Sequence, residues 1–131
     1  MIGFDTSAII DLFKGDENIK KLLIGMSGEA FAVNQLSYLE IMFGIDSKNV
    51  NNNEEEIFCD NFFDSFNNYG LDINSSKMAS KIFHDLKKSG ITIEMFDCAI
   101  AGIFLSNGIN VIITKNTKHF DKIKGLKVIG Y

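Results

Sequence analysis

Four polar side chains of this 131-residue sequence occupy places where apolar or merely structural residues are the rule. Asp5 directly follows the apolar opening MIGF, Glu40 and Asp97 lie inside otherwise apolar stretches of helical spacing, and Asn116 follows the run INVIIT. Asp97 is the only charge between Met95 and Leu105. A carboxylate placed among apolar side chains without a partner costs several kcal/mol, and a cation removes that cost. Three carboxylates and an amide are an all-oxygen donor set, which suits Mg²⁺ or Mn²⁺ rather than a thiolate-seeking metal.

Each residue also has a plainer reading. Asp5 can serve as the N-cap of a helix beginning at Thr6. Glu40 has Leu36, Phe43 and Gly44 three and four residues away, so it projects with an apolar stripe or stands at its edge. Asp97 can be a first-turn acid that favours the helix dipole, and Glu94, one turn earlier, is read in that way. Asn116 can serve a turn, while Thr114 offers a hydroxyl beside it. No Ser–His–Asp or Cys–His spacing is evident, and His84 and His119 have no obvious partner in the sequence, so His119 is assigned to the closing turn. No side-chain nucleophile is therefore indicated.

The elements that must position these groups alternate. Ile2 to Asp5 reads as a buried strand, TSAIIDLFKG as a helix, and a second helix is expected from Asp16 to about Met26. EAFAVN is a strand, and QLSYLEIMFG is a helix with Leu36, Leu39 and Phe43 on one stripe. The polar segment SKNVNNNEEE supplies a loop at Asn51 to Asn53 and three Glu residues at a helix N-terminus. IFCDNFFDSFNNYG continues that helix, with four Phe on its packing side. LDIN is expected to form a third strand, and a helix from Ser76 ends in KKSG. MFDCAIAGIFLSNG is helical and INVIIT is a central strand; KNTKHFDKIKG is a loop or short helix, and LKVIGY closes as a strand. Such alternation implies a parallel sheet covered on both faces, with ligands beyond the carboxyl ends of its strands.

Composition narrows the class. With 46% hydrophobic and 23% charged residues, the chain is an ordinary globular one of single-domain size. It has no run approaching the roughly 20 apolar residues of a membrane span, and MIGFD carries no secretory signature, so a cytoplasmic protein is expected. Cys59 and Cys98 lack metal-site spacing and read as apolar fillers. Residues 1–76 hold 4 Lys against 13 acids, and residues 77–131 hold 9 Lys against 4 acids, which gives −9 and +5 around a net charge of −4. An acidic total argues against strong non-specific nucleic-acid binding, whereas Lys115 and Lys118, with Lys14 a weaker candidate, can contact a phosphate backbone locally.

Taken in order, DTSAIIDLFKG, LSYLEIMFG, FDCAIAGIFLSNG and VIITKNTKHFDKIKGLKVIGY resemble the PIN-domain ribonucleases, and within them the VapC-type toxins of toxin–antitoxin pairs. The resemblance covers essentially the whole chain. It implies a single domain over residues 1–131, a PIN-like three-layer α/β/α fold with a central parallel sheet of about four to five strands. It also implies a divalent-metal-dependent endoribonuclease whose catalytic quartet corresponds to Asp5, Glu40, Asp97 and Asn116, with Asp5, Glu40 and Asp97 holding Mg²⁺ or Mn²⁺. Products with 3′-hydroxyl and 5′-phosphate ends, a cognate antitoxin and a homodimer are further implications. Many relatives carry Asp at the last position; Asn there removes a charge and weakens a second metal more than the first.

Other classes fit less well. A receiver module wants paired early acids and a phosphoacceptor after its third strand, and a haloacid-dehalogenase-like phosphatase wants an Asp where Ser7 stands. The alternative that stays open is a catalytically weak or inactive PIN-like module that binds RNA or a protein partner. The apolar segment IFCDNFFDSF could serve such a partner, although core packing of its Phe residues is the simpler reading.

Overall fold

The computed structural model describes residues 1–46, 49 and 52–131. Five short strands form one parallel sheet: β1 (Ile2–Phe4), β2 (Phe31–Asn34), β3 (Asn67–Tyr69), β4 (Val111–Ile113) and β5 (Lys127–Ile129). Their spatial order is β3-β2-β1-β4-β5. Gly3 of β1 pairs with Ala32 of β2 on one side and with Ile112 of β4 on the other. The chain therefore winds outward from β1 through β2 to β3, then crosses to β4 and winds outward again. The strand order reverses between β1 and β4, and open α/β sheets bind ligands beyond the carboxyl ends of their strands at such a point.

Seven helices connect the strands among the described residues: α1 (Thr6–Lys14), α2 (Glu17–Ile24), α3 (Gln35–Phe43), α4 (Asn53–Asp64), α5 (Ile73–Lys88), α6 (Met95–Ser106) and α7 (Thr117–Phe120). Side chains alternate across a strand, so Val33 and Ile113 face one layer while Ala32 and Ile112 face the other. The first layer packs Ile9 and Ile19, with Ile41, Cys59 and Phe63 of α3 and α4, against the sheet; the second packs Ile82, Leu86, Ile100 and Phe104 of α5 and α6. This is the expected α/β/α sandwich. INVIIT provides the interior strand β4, with Ile112 and Ile113 fully buried. Both cysteines are buried and unpaired, and Phe58, Phe62, Phe63 and Phe66 pack against the core. No helix among the described residues is long and apolar enough to cross a membrane.

Three expectations are corrected. The third strand is Asn67–Tyr69 rather than LDIN, with Ala32 paired to Asn67 and Asn34 to Tyr69. An edge strand tolerates these polar residues because only one side is paired. Asp72 of LDIN caps α5 instead: its carboxylate accepts from Ser75 N at 2.7 Å, and its own N–H donates to Ser75 Oγ at 2.8 Å. That capping box starts the helix at Ile73, three residues before the expected Ser76. On α3 the inward residues are Ser37 and Ile41, while Leu39 is 38% and Phe43 75% exposed, so the apolar stripe is not the buried face. Of the expected loop at Asn51 to Asn53, Asn51 lies outside the described residues and Asn53 opens α4.

Candidate active site

Asp5 follows β1 and is almost fully buried, at 2% exposure. It occupies the N-cap position of α1 but makes no side-chain capping bond. Its Oδ2 instead accepts from Thr114 Oγ1 at 2.7 Å and from Ser7 Oγ at 2.9 Å. Asp5 is thus the N-cap by position, while its carboxylate is turned across the switch point toward the end of β4. Thr114 is fully buried there, and its Oγ1 also accepts from the Asn116 backbone N–H at 3.0 Å. Lys115 N donates to Ser7 Oγ at 3.1 Å. The loop after β4 is thus fastened to the start of α1 by side chains that converge on Asp5.

Glu40 stands on α3 and is half-buried, its Oε1 2.9 Å from Thr6 Oγ1. Burial pushes its carboxyl above the ordinary range; Thr6's hydrogen bond opposes that, and the charges of Asp5, Asp97 and Glu94 add to it. Asp97, in the first turn of α6, is 9% exposed. Burial raises it too, the hydrogen bond from His119 opposes this, and Asp5 and Glu94 push it further up. Asp5, Glu40 and Asp97 therefore share one electrostatic environment, to which Glu94 adds a fourth charge. Glu94 occupies the N-cap position of α6 without a side-chain capping bond and is exposed.

His119 was unpartnered in sequence terms, and the structure gives it a partner. His119 sits on the short helix α7, and its Nδ1 lies 2.7 Å from Asp97 Oδ2 of α6. An ionised carboxylate only accepts, so Nδ1 carries the proton. Its position three residues after Asn116 is the local signal that brings it to the site. Asn116 itself is exposed, caps α7 without a side-chain bond, and reaches the cluster through its backbone. Lys115 Nζ pairs with Asp11 Oδ2 at 3.4 Å, while Lys118 is exposed on α7. Asp11, buried in α1, also accepts from Tyr131 Oη at 2.8 Å.

Among the described residues, no group of three or more His, Cys, Asp or Glu side chains is arranged as a ready metal cage. The donor chemistry nevertheless fits a hard dication. Mg²⁺ keeps several waters and takes only one or two carboxylates directly, so binding does not require three side chains to close on one point. Carboxyl groups held above their ordinary range by burial and mutual repulsion are those that a nearby cation would relieve.

A family model described as PIN domain matches residues 2–126. A protein named Ribonuclease VapC1 from Rickettsia felis is 31% identical over 95% of this chain and 92% of its own length. Another of that name, from Methanocaldococcus jannaschii, is 32% identical over 95% of this chain and 83% of its own. The fold is similar to that in the crystal structure of VapBC2 from Rickettsia felis bound to a promoter DNA fragment, with a TM-score of 0.84, 18% identity and coverage of 100% and 99% of the two chains. It is also similar to VapBC-1 from nontypeable Haemophilus influenzae, with a TM-score of 0.77, 26% identity and coverage of 99% and 98%.

Proposed function

Because this chain belongs to the PIN-domain family, we propose that it is a VapC-type endoribonuclease that hydrolyses RNA phosphodiester bonds with Mg²⁺ or Mn²⁺. The observation that carries the reading is the gathering of Asp5, Glu40 and Asp97 from three separate elements to the switch point between β1 and β4, where burial and mutual repulsion raise two of them. Relatives named Ribonuclease VapC1 support the choice of RNA as substrate.

In this reading Asp5, Glu40 and Asp97 supply anionic oxygen to the ion, and Asn116 supplies a neutral amide at the rim. A dication held there would supply Lewis-acid chemistry, lowering the pKa of a water and polarising the scissile phosphate. Thr114 and Ser7 hold Asp5 in place through Oδ2, which leaves its Oδ1 outside those bonds. His119 fixes Asp97 through Oδ2 in the same way. A carboxylate raised toward neutrality is suited to take a proton from the attacking water. Lys118, on the helix that follows Asn116, is placed to meet substrate phosphates. Lys115 can join it only by leaving Asp11.

Protein partners belong to the same proposal: a cognate antitoxin, as in the VapBC assemblies of similar fold, and a second copy of the chain. Phe43, Ile73 and Met95, each at least 75% exposed, offer apolar surface for them.

The test is cleavage of structured and unstructured RNA by the purified, antitoxin-free protein with Mg²⁺, Mn²⁺ or EDTA, beside Asp5→Asn and Asp97→Asn. Cleavage lost with EDTA and in both variants is the expected result. RNA binding without metal-sensitive cleavage would instead establish a binding module.

A further inference from the structure

Asn34, Ser37 and Glu40 recur at three-residue intervals along α3 from its N-cap, and Thr6 of α1 meets them. Asn34 and Ser37 are fully buried and Thr6 is 7% exposed. Asn34 Nδ2 donates to Ser37 Oγ at 2.9 Å, and Asn34 Oδ1 accepts from Ser37 N at 2.8 Å. Thr6 Oγ1 stands 2.9 Å from Ser37 Oγ and 2.9 Å from Glu40 Oε1.

Proton inventory fixes the direction of this chain. Thr6 has one hydroxyl proton, and an ionised Glu40 has none. If Thr6 gave its proton to Ser37, two sets of lone pairs would face each other at hydrogen-bonding distance between Thr6 and Glu40. With Glu40 ionised, Thr6 therefore gives its proton mainly to Glu40, the stronger acceptor, with Ser37 Oγ as its second acceptor, and Asn34 donates to Ser37. Every member is satisfied, and the only end that leaves the interior is the Glu40 carboxylate.

We infer that Ser37, acting through Thr6, is a positioning residue for Glu40, anchoring Oε1 so that the other carboxylate oxygen is presented to the cation. The inference rests on the reading of Glu40 as part of the metal site. Packing alone does not account for the chain, because apolar side chains of similar size at positions 6 and 37 would fill the same space without polar groups to satisfy. A directed chain with a buried amide at one end and a carboxylate at the other does have a use: it holds the carboxylate's rotamer while the ion binds and leaves.

The experiment compares wild type with Thr6→Val, Thr6→Ser, Ser37→Ala and Glu40→Gln, each checked for folding by circular dichroism. Three readouts are used: hydroxyl-proton NMR on metal-free protein, the Mn²⁺ dissociation constant by electron paramagnetic resonance, and kcat and KM on a fluorogenic RNA. Slowly exchanging Thr6 and Ser37 hydroxyl protons are expected in wild type, with the Thr6 signal shifted or lost in Ser37→Ala. Thr6→Val is expected to weaken Mn²⁺ binding and lower kcat roughly 10-fold with little change in KM, Ser37→Ala to do so by less, and Thr6→Ser to restore both. Thr6→Val that folds and matches wild type while Glu40→Gln is impaired overturns the inference alone. Thr6→Ser as impaired as Thr6→Val also overturns it, since packing of the methyl group would then explain the loss. Glu40→Gln with unchanged Mn²⁺ affinity and cleavage overturns the inference together with the reading of the site.

Discussion

Replacing Gly102 with Ala tests whether the packing of α6 holds Asp97 in place. A Cβ built on Gly102 lies 2.6 Å from Ser75 O and 2.8 Å from Ala79 N, both backbone atoms of α5, and 3.0 Å from Ala79 Cβ. Moving from 2.6 Å to the 3.4 Å at which ordinary contact begins requires the helices to part by about 0.8 Å. Two opposing terms decide the sign. Ala gains about 1 kcal/mol over Gly in a helix interior, whereas overpacking against backbone costs about 3 kcal/mol, the upper end of the usual range, because no side chain can swing aside. Destabilisation wins by about 2 kcal/mol. A 131-residue chain unfolds with about 0.28 kcal/mol/K of entropy near its midpoint, so Tm falls by about 7 °C. Where α6 rather than α5 gives way, Asp97 shifts with it, and a 2.7 Å contact to His119 lengthened by about 0.8 Å leaves hydrogen-bonding range. Cleavage measured well below the transition should then fall roughly 10- to 100-fold. Thermal unfolding by circular dichroism and fluorogenic cleavage at 25 °C are the assays. Tm within about 2 °C of wild type would refute the packing argument, and a destabilised variant with undiminished cleavage would refute its link to Asp97. Ala79→Gly removes only the most distant of the three contacts, so the double variant should show almost no coupling; rescue would mean that the side chain, not the backbone, was the obstacle.

Three further predictions follow from the site's electrostatics and ties. Glu40's carboxyl is raised on folding, so its contribution to stability is present below the unfolded value of about 4.3 and is lost as pH rises through the folded value; in EDTA, Glu40→Gln, which keeps an oxygen for Thr6, should therefore gain stability relative to wild type from pH 4 to pH 7, and a pH-independent difference in urea midpoint would refute this. Tyr131→Phe removes the 2.8 Å bond to buried Asp11 and leaves that carboxylate with exposed Lys115 alone; a loss of about 1 to 2 kcal/mol is expected in urea unfolding, the lower part of the range for bonds to charged groups because Tyr131 is partly solvated, and no loss would show that water replaces the phenol. His119→Ala removes Asp97's fixed partner and should raise the Mg²⁺ concentration for half-maximal cleavage roughly 10-fold, with an unchanged metal dependence counting against any positioning by His119.

What the sequence made legible was whatever rests on strong local signals. INVIIT fits an interior strand and forms one, and Asp97, the lone charge of an apolar helix, is buried as its neighbours suggest. Asp5 follows a strand end as expected, but its partner Thr114 stands 109 residues away, at a distance no local pattern spans. The same holds for His119 and Asp97, and for Thr6 with Ser37 and Glu40. The phase of α3 was misread for a different reason. A nine-residue helix with apolar side chains at most positions has no unique stripe, and the polar chain from Asn34 to Glu40 took the inward face and left Phe43 outside. Strand β3 was missed because Asn has little strand propensity and pairing with β2 decided the matter, while Asp72 in LDIN was free to cap a helix.

The distribution of buried polar residues separates a site from a merely satisfied cluster. Among the described residues eight polar side chains are buried, Asp11 and Ser75 being two of them. The other six, Asp5, Thr6, Asn34, Ser37, Asp97 and Thr114, lie at or just beyond the carboxyl ends of β1, β2 and β4 or in the first turns of the helices α1, α3 and α6. Parallel sheets make that edge available because each strand ends where a helix begins. Had these polar groups served stability alone, the efficient solution would have been to neutralise the acids with a lysine. The nearest lysine in sequence to Asn116, Lys115, is instead drawn to Asp11, and Asp97 receives a histidine while Glu40 receives only a hydroxyl. Thr6 thus orients Glu40 without cancelling its charge, His119 offsets only part of the effect on Asp97, and both carboxyls stay above their ordinary range. That uncancelled charge, fixed in direction by Thr6 and His119, is what a hard cation would complete.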